Sequence, residues 1–303
     1  MKTLRRNPRP AFRRRILLAA TTLTLTWAQP FFPSPLARAA ETTASLIETG
    51  QRKFAQGDLA GALSAFAAAQ KGAPTDAQPL ILRGAVYQKL GKLAEAEADL
   101  RAALRLNPKL PNAFDVKAEL AAILTDSKRP KEAAELLEQL LRENPRHADS
   151  LYNLGLARET LGEFAAAAAA YGRAVREKPT ELDVRLAWAG ALRKAGQNAE
   201  ALAAAKEALT LAGRLSAAPA VQAQIQDEIG LSQRRLGDLK AAEASFRAAL
   251  QRQPTMHVAR LHLCTTLAAA GRCPDALTES ASLPKAAPFA EQVAKLRAGC
   301  NKK

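Results

Sequence analysis

An alanine recurs along this chain at Ala62, Ala96, Ala133, Ala167, Ala201, Ala242 and Ala276, with separations of 34, 37, 34, 34, 41 and 34 residues. Five residues before each stands Gly57, Gly91, Gly162, Gly196, Gly237 or Gly271, with Lys128 replacing glycine once. Twelve residues after, five of the first six alanines meet Pro74, Pro108, Pro145, Pro179 or Pro254, and Gly213 fills the sixth place. Three residue types held in one register, through insertions, specify a stack of like units. A period of this size belongs to repeat architectures, in which each unit is one supersecondary motif. Length alone, 303 residues, would otherwise suggest about two ordinary domains.

Each unit reads as a helical hairpin. In residues 77–110 an apolar period of three to four, carried by Leu80, Gly84 and Tyr87, ends at Gly91. Glycine there can take the left-handed conformation that closes a helix. A second helix follows with Leu93, Ala96, Leu100, Ala103 and Leu104 on one face, and Pro108 stops it. Small residues at Gly84 and Ala96 let two helices approach, while Tyr87 and Leu100 fill the space toward neighbouring hairpins. One hairpin cannot bury both of its apolar sides, so the units must stack. Composition agrees: more than a fifth of the chain is alanine and only 5% is aromatic, which favours helix and excludes a β-sandwich or barrel.

Residues 148–181 carry the pattern most fully, as Leu151, Leu154-Gly155, Gly162, Phe164, Ala167, Tyr171, Ala174 and Pro179. This resembles the tetratricopeptide repeat family, with Arg158 departing from the expected tyrosine. The resemblance extends over units 43–76, 77–110, 114–147, 148–181, 182–215, 223–256 and 257–290, with a capping helix over 286–298. The implied fold is an all-α superhelical solenoid of about seven hairpins in one domain, residues 40–303. The third unit departs most, with Lys128 for glycine and Pro130 entering its second helix, where the first turn tolerates proline. Seven extra residues, Ser216–Gln222, separate the fifth and sixth units and form either a helix extension or a bend.

Residues 1–39 have a different character. Lys2, Arg5, Arg6, Arg9, Arg13, Arg14, Arg15 and Arg38 stand among them with no acid, followed by the apolar run Ile16–Ala28 and Ala37-Arg38-Ala39. A basic start, a short apolar core and an A-x-A site describe a secretory signal peptide, with cleavage expected after Ala39. The apolar run is shorter than the roughly 20 residues a membrane span requires. An uncleaved anchor and twin-arginine export, from Arg13-Arg14-Arg15, stay open, with general secretion preferred. The expected location is the bacterial periplasm or the exterior. Removing these eight charges from the 44 basic residues leaves 36 against 29 acidic, so the formal charge falls from +15 to +7. The apparent nucleic-acid signature is largely an export signal, and few aromatics are present to stack on bases.

No nucleophile elbow, phosphate loop or paired-cysteine zinc spacing occurs, and His147, His257 and His262 show no metal-binding arrangement. The expectation is a non-enzymatic protein with no cofactor and no metal. In the family resembled, first helices line a concave groove that holds extended or helical peptides. Carried over, the groove candidates are Ile81, Ala85, Gln88, Ala118, Ala122, Tyr152, Asn153, Leu156, Glu159, Leu186, Gly190, Arg193, Asp227, Leu231 and Arg234. The lysine-rich clamp that some members use for a terminal carboxylate has no counterpart here: its slots hold Ile47, Ile81, Ala118, Tyr152, Leu186, Asp227 and Leu261. The resemblance implies a protein or peptide partner, with Tyr152 as the best single anchor. The alternative is an anionic polymer on a basic strip of Arg193, Lys194, Arg234 and Arg235.

Export permits disulfides. Cys264 fills the slot that is glycine or alanine in most units and is expected to be buried and free. Cys273 follows the Gly271 turn, and a closing helix parallel to the first helix of the last unit would bring Cys300 to the same end. A Cys273–Cys300 bond is therefore expected.

Overall fold

A computed structural model describes residues 35–301 and contains fifteen α-helices and, among the described residues, no strand. They form seven consecutive pairs: α1 (Pro35–Ala55) with α2 (Leu59–Gly72), α3 (Gln78–Lys89) with α4 (Leu93–Leu106), α5 (Ala113–Asp126) with α6 (Pro130–Glu143), α7 (Ala148–Thr160) with α8 (Phe164–Glu177), α9 (Leu182–Lys194) with α10 (Asn198–Arg214), α11 (Pro219–Arg235) with α12 (Leu239–Arg252), and α13 (His257–Ala269) with α14 (Cys273–Ser280). The last helix, α15 (Phe289–Cys300), packs on α13 and α14. Each helix lies against the next in the chain, and first helices of successive pairs also meet, α5 with α7, α9 with α11 and α11 with α13. The result is an all-α solenoid in which contacts are local in sequence.

The register alanines explain the close packing. Ala62, Ala96, Ala133, Ala167, Ala201, Ala242 and Ala276 are all fully buried. They stand in the first turn of each second helix, where a methyl group is the most the partner helix admits. The turn before them is held by a left-handed residue, with φ of 81° at Gly162 and 62° at Lys128. Lys128 thus adopts the glycine conformation without being glycine. Pro130 sits in the first turn of α6, where no helical N–H is lost.

A second small-to-large match joins the two helices of a pair. Gly155 faces Tyr171, Gly230 faces Phe246 and Gly84 faces Leu100, each side chain lying where a glycine Cβ would be. Tyr171 and Phe246 are fully buried in consequence. At 264 the slot holds a buried, free cysteine, and the repeat position of Tyr171 and Phe246 holds the small, buried Ser280.

The extra residues between the fifth and sixth pairs are absorbed on both sides. α10 and α11 each run 17 residues, against 14 in α8 and 13 in α9, and the chain turns through Ser216 at φ 49°. At the C-terminal end α14 stops after 8 residues, and α15 takes its place over the last core cluster through Leu296, Phe289 and Val293. The expected leader's basic start and apolar core lie outside the described residues; positions 37–39 fall in the first turns of α1. Among the described residues no helix is long and apolar enough to cross a membrane.

Candidate functional site

Spacing along α9 places Asp183, Leu186, Ala187, Gly190, Arg193 and Lys194 on one face, since residues three, four and seven apart share a helix side. That face is the floor of a shallow hollow of about 280 Å³. One wall is Tyr152 and Glu159 of α7, two turns apart; the other is Gln224 and Glu228 of α11. Gly190 keeps the middle of the floor low: a Cβ there would meet nothing nearer than Glu228 Oε2 at 3.8 Å. From Asp183 to Arg193 the floor rises along the helix by about 15 Å.

One end of this hollow is closed by ion pairs. The Arg193 guanidinium donates to both Glu228 carboxylate oxygens, at 2.5 and 3.2 Å, with both side chains nearly buried. Lys194 Nζ donates to Glu159 Oε1 at 2.6 Å, and Tyr171 Oη donates to Glu159 Oε2 at 3.1 Å. Burial pushes the Glu228 carboxyl above the usual carboxylate range, and the Arg193 guanidinium only partly offsets this. Asp183 stands in the first turn of α9, half-buried, and burial raises its carboxyl with no charged neighbour opposing the shift. Tyr152 lies in the second turn of α7, its ring 5.5 Å from that of Tyr171.

The structure brings together Tyr152, Glu159, Leu186, Gly190 and Arg193 from the sequence-derived groove residues. Leu156 is half-buried on the same helix as Tyr152. Ile81, Ala85 and Gln88 lie half-buried on α3 and Ala122 on α5, two and one pairs before the hollow. Asn153 Nδ2 donates to the Ala118 carbonyl at 3.5 Å, spanning α7 and α5, and Ala118 itself is buried. Leu231 packs against the last core cluster. Asp227 is buried and its carboxylate lies 2.8 Å from His262 Nδ1 on α13. His262 therefore links two pairs, a role its spacing to other histidines does not reveal.

The basic strip differs most from its expectation. Arg193 and Lys194 are each occupied by a carboxylate of a neighbouring pair. Arg234 is half-buried, donates to Thr265 Oγ1 at 2.6 Å, and is held below the usual arginine range by burial and by Arg235 and Arg193. Lys194 and Arg235 are exposed, Lys194 with its ammonium on Glu159. Three of the four therefore offer no free charge to a polyanion: Arg193 and Lys194 face carboxylates, and Arg234 lies half-buried among protein atoms.

Asp183, Ala187, Gln224 and Glu228 are the lining residues that sequence reasoning omits. They occupy the second and sixth positions of their units, beside the fifth, ninth and twelfth positions of the expected groove. Asn153, a sixth-position residue, carried the available signal.

Stacked hairpins whose first helices share one hollowed face define a helical-repeat protein. Tetratricopeptide repeat profiles match residues 77–110, 118–181 and 234–300, together more than half the chain, and the protein is built of tetratricopeptide repeats. Among solved structures it is similar to a tetratricopeptide repeat protein from Parabacteroides merdae, at 18% identity over 86% of this chain and 99% of that one, with a TM-score of 0.66. It also resembles Pseudomonas aeruginosa pilF, at 18% identity over 77% and 99% with a TM-score of 0.59. YrrB, described as a TPR protein with an unusual peptide-binding site, aligns at 22% identity over 64% and 95% with a TM-score of 0.50. At these identities the likeness is one of fold. No curated protein sequence matches the chain.

Proposed function

We propose that the protein is an exported, non-enzymatic scaffold that holds a protein or peptide partner along its first-helix face, in the assembly of an envelope, secretion or polysaccharide-export complex. The observation that carries this reading is the hollow across α7, α9 and α11, where Tyr152 and Leu186 offer apolar area between polar walls. Such a surface suits an extended or helical segment better than a small substrate, which calls for a more enclosed cavity. Proteins of the same fold serve comparable roles: YrrB has a peptide-binding site, and PilW is a type IV pilus biogenesis factor. Export rests on the basic, apolar and A-x-A succession of residues 1–39, and places the mature chain in the periplasm or outside the cell.

The test is crosslinking in the native envelope from a photoreactive residue placed at Leu156, on the first-helix face, or at Ala165, exposed on α8. A partner captured from position 156 and not from 165 is the expected result. Capture only from 165 overturns the groove reading. Tyr152→Ala should weaken co-purification of that partner while the thermal transition is kept; undiminished co-purification counts against it. N-terminal sequencing of the mature protein should begin at Ala40, and an intact Met1 would leave the chain anchored or unexported.

A further inference from the structure

The hollow has two unlike ends, and the difference points to what it holds. At the Arg193 end every charge is matched within the protein: Arg193 is bidentate on Glu228, and Lys194 reaches Glu159. At the other end Asp183 has no hydrogen bond or ion pair among the described residues, although it is half-buried. Lining charges are three acids, Glu159, Asp183 and Glu228, against the two bases Arg193 and Lys194. The unmatched charge is therefore negative and sits at the Asp183 end.

Tyr152 lines the same hollow from the adjacent first helix, at the repeat position of Leu186, one turn on from that of Asp183. An aromatic face beside a carboxylate is the pairing that attracts an ammonium or guanidinium group, through the ring quadrupole and the anion together. Between the ends, Leu186, Ala187 and Gly190 leave an apolar, low floor about as long as an extended lysine or arginine stem, and such stems bury readily along apolar surface.

Resting on the groove reading above, we propose that the hollow is a specificity pocket for one basic side chain, lysine or arginine, of the partner segment, with Asp183 as its counter-ion and Tyr152 as its ring. Desolvation of the Asp183 carboxyl, which lifts it above its ordinary range, is relieved when a cation arrives. An acidic partner residue is rejected there, because it would meet an unmatched carboxylate.

A random twelve-residue peptide library displayed on phage and panned against the purified protein tests this. The expected outcome is enrichment of one lysine or arginine position, confirmed by synthetic peptides that bind at least about tenfold tighter than their norleucine counterparts, the size of one charge-assisted hydrogen bond. Asp183→Asn should abolish that ratio, and Asp183→Glu should keep most of it, with the circular dichroism of both unchanged. Peptides that bind with no basic preference, or with one that persists in Asp183→Asn, overturn the pocket and leave the groove reading standing. A library from which no peptide binds overturns both.

Discussion

Gly155 and Tyr171 fit as notch and knob: a Cβ on Gly155 would lie 2.5 Å from Tyr171 Cε1, and the ring is fully buried. The relation joins α7 to α8 and also sets the hollow, because Tyr171 Oη holds Glu159 and its ring supports Tyr152. Gly155→Ala should therefore destabilise the protein by about 1–3 kcal/mol, the usual cost of overpacking. Urea unfolding checks it. A loss below a few tenths of a kcal/mol would show that α7 can slide without cost.

Much of this was legible in sequence, for a physical reason. Hairpin closure, helix stops and close contacts are made by residues near one another in the chain, so Gly162, Pro179 and Ala167 announce them directly. The pairings that shape the hollow were not legible. Arg193 meets Glu228 across 35 positions, through an insertion whose geometry decides which face of α11 is presented. A basic residue late in a first helix looks alike whether water or a buried carboxylate lies beyond it. Arg193 and Lys194 therefore read as a surface strip and are instead interface ion pairs.

The Arg193–Glu228 pair gives a second prediction. Removing one member leaves the other buried without a counter-charge, so Arg193→Met should cost about 3 kcal/mol. Arg193→Met combined with Glu228→Met should recover most of that loss. A double variant no more stable than the single one refutes the account.

The pH dependence of the same pair has a definite sign. Burial raises the folded-state Glu228 carboxyl above its ordinary 4.5. Its protonation thus favours the folded state, and that contribution is full below about pH 4.5 and lost as pH rises through the folded value. Glu228→Gln cannot titrate. Relative to this variant, the wild type should lose stability as pH climbs through that window and then run parallel to it. Chemical denaturation at a series of pH values reads the difference; parallel curves throughout would place no shifted titration at Glu228.

Cys273 and Cys300 are bonded, with Cα atoms 5.5 Å apart and a separation of 27 positions in sequence. Closing a loop of this length is worth roughly 3–4 kcal/mol on the chain-entropy account. In a solenoid each unit senses only its neighbours, so the effect should stay local. Cys300→Ser should speed amide exchange in α14 and α15 and leave α7 to α9 as they were. Cys264, whose thiol burial pushes up to about 11, should resist iodoacetamide at neutral pH until the cap opens. Uniform acceleration along the chain would contradict the local account.

Lys128 offers a stabilising change. Its φ of 62° is one that the other turns reach with glycine, at 73° to 85°. A side chain in the left-handed region costs about 1–2 kcal/mol, because Cβ crowds the following carbonyl. Lys128→Gly removes that crowding but gives the unfolded chain more freedom, which returns part of the gain. The backbone bonds that close the turn, from Lys128 and Arg129 N–H to the Thr125 and Leu124 carbonyls, do not involve the side chain and persist. The net expectation is a gain of about 0.5–1 kcal/mol, read as a higher urea midpoint at unchanged slope. Lys128→Ala keeps the Cβ and should gain nothing, so equal effects from the two variants would assign the change to the lost lysine charge instead of the backbone.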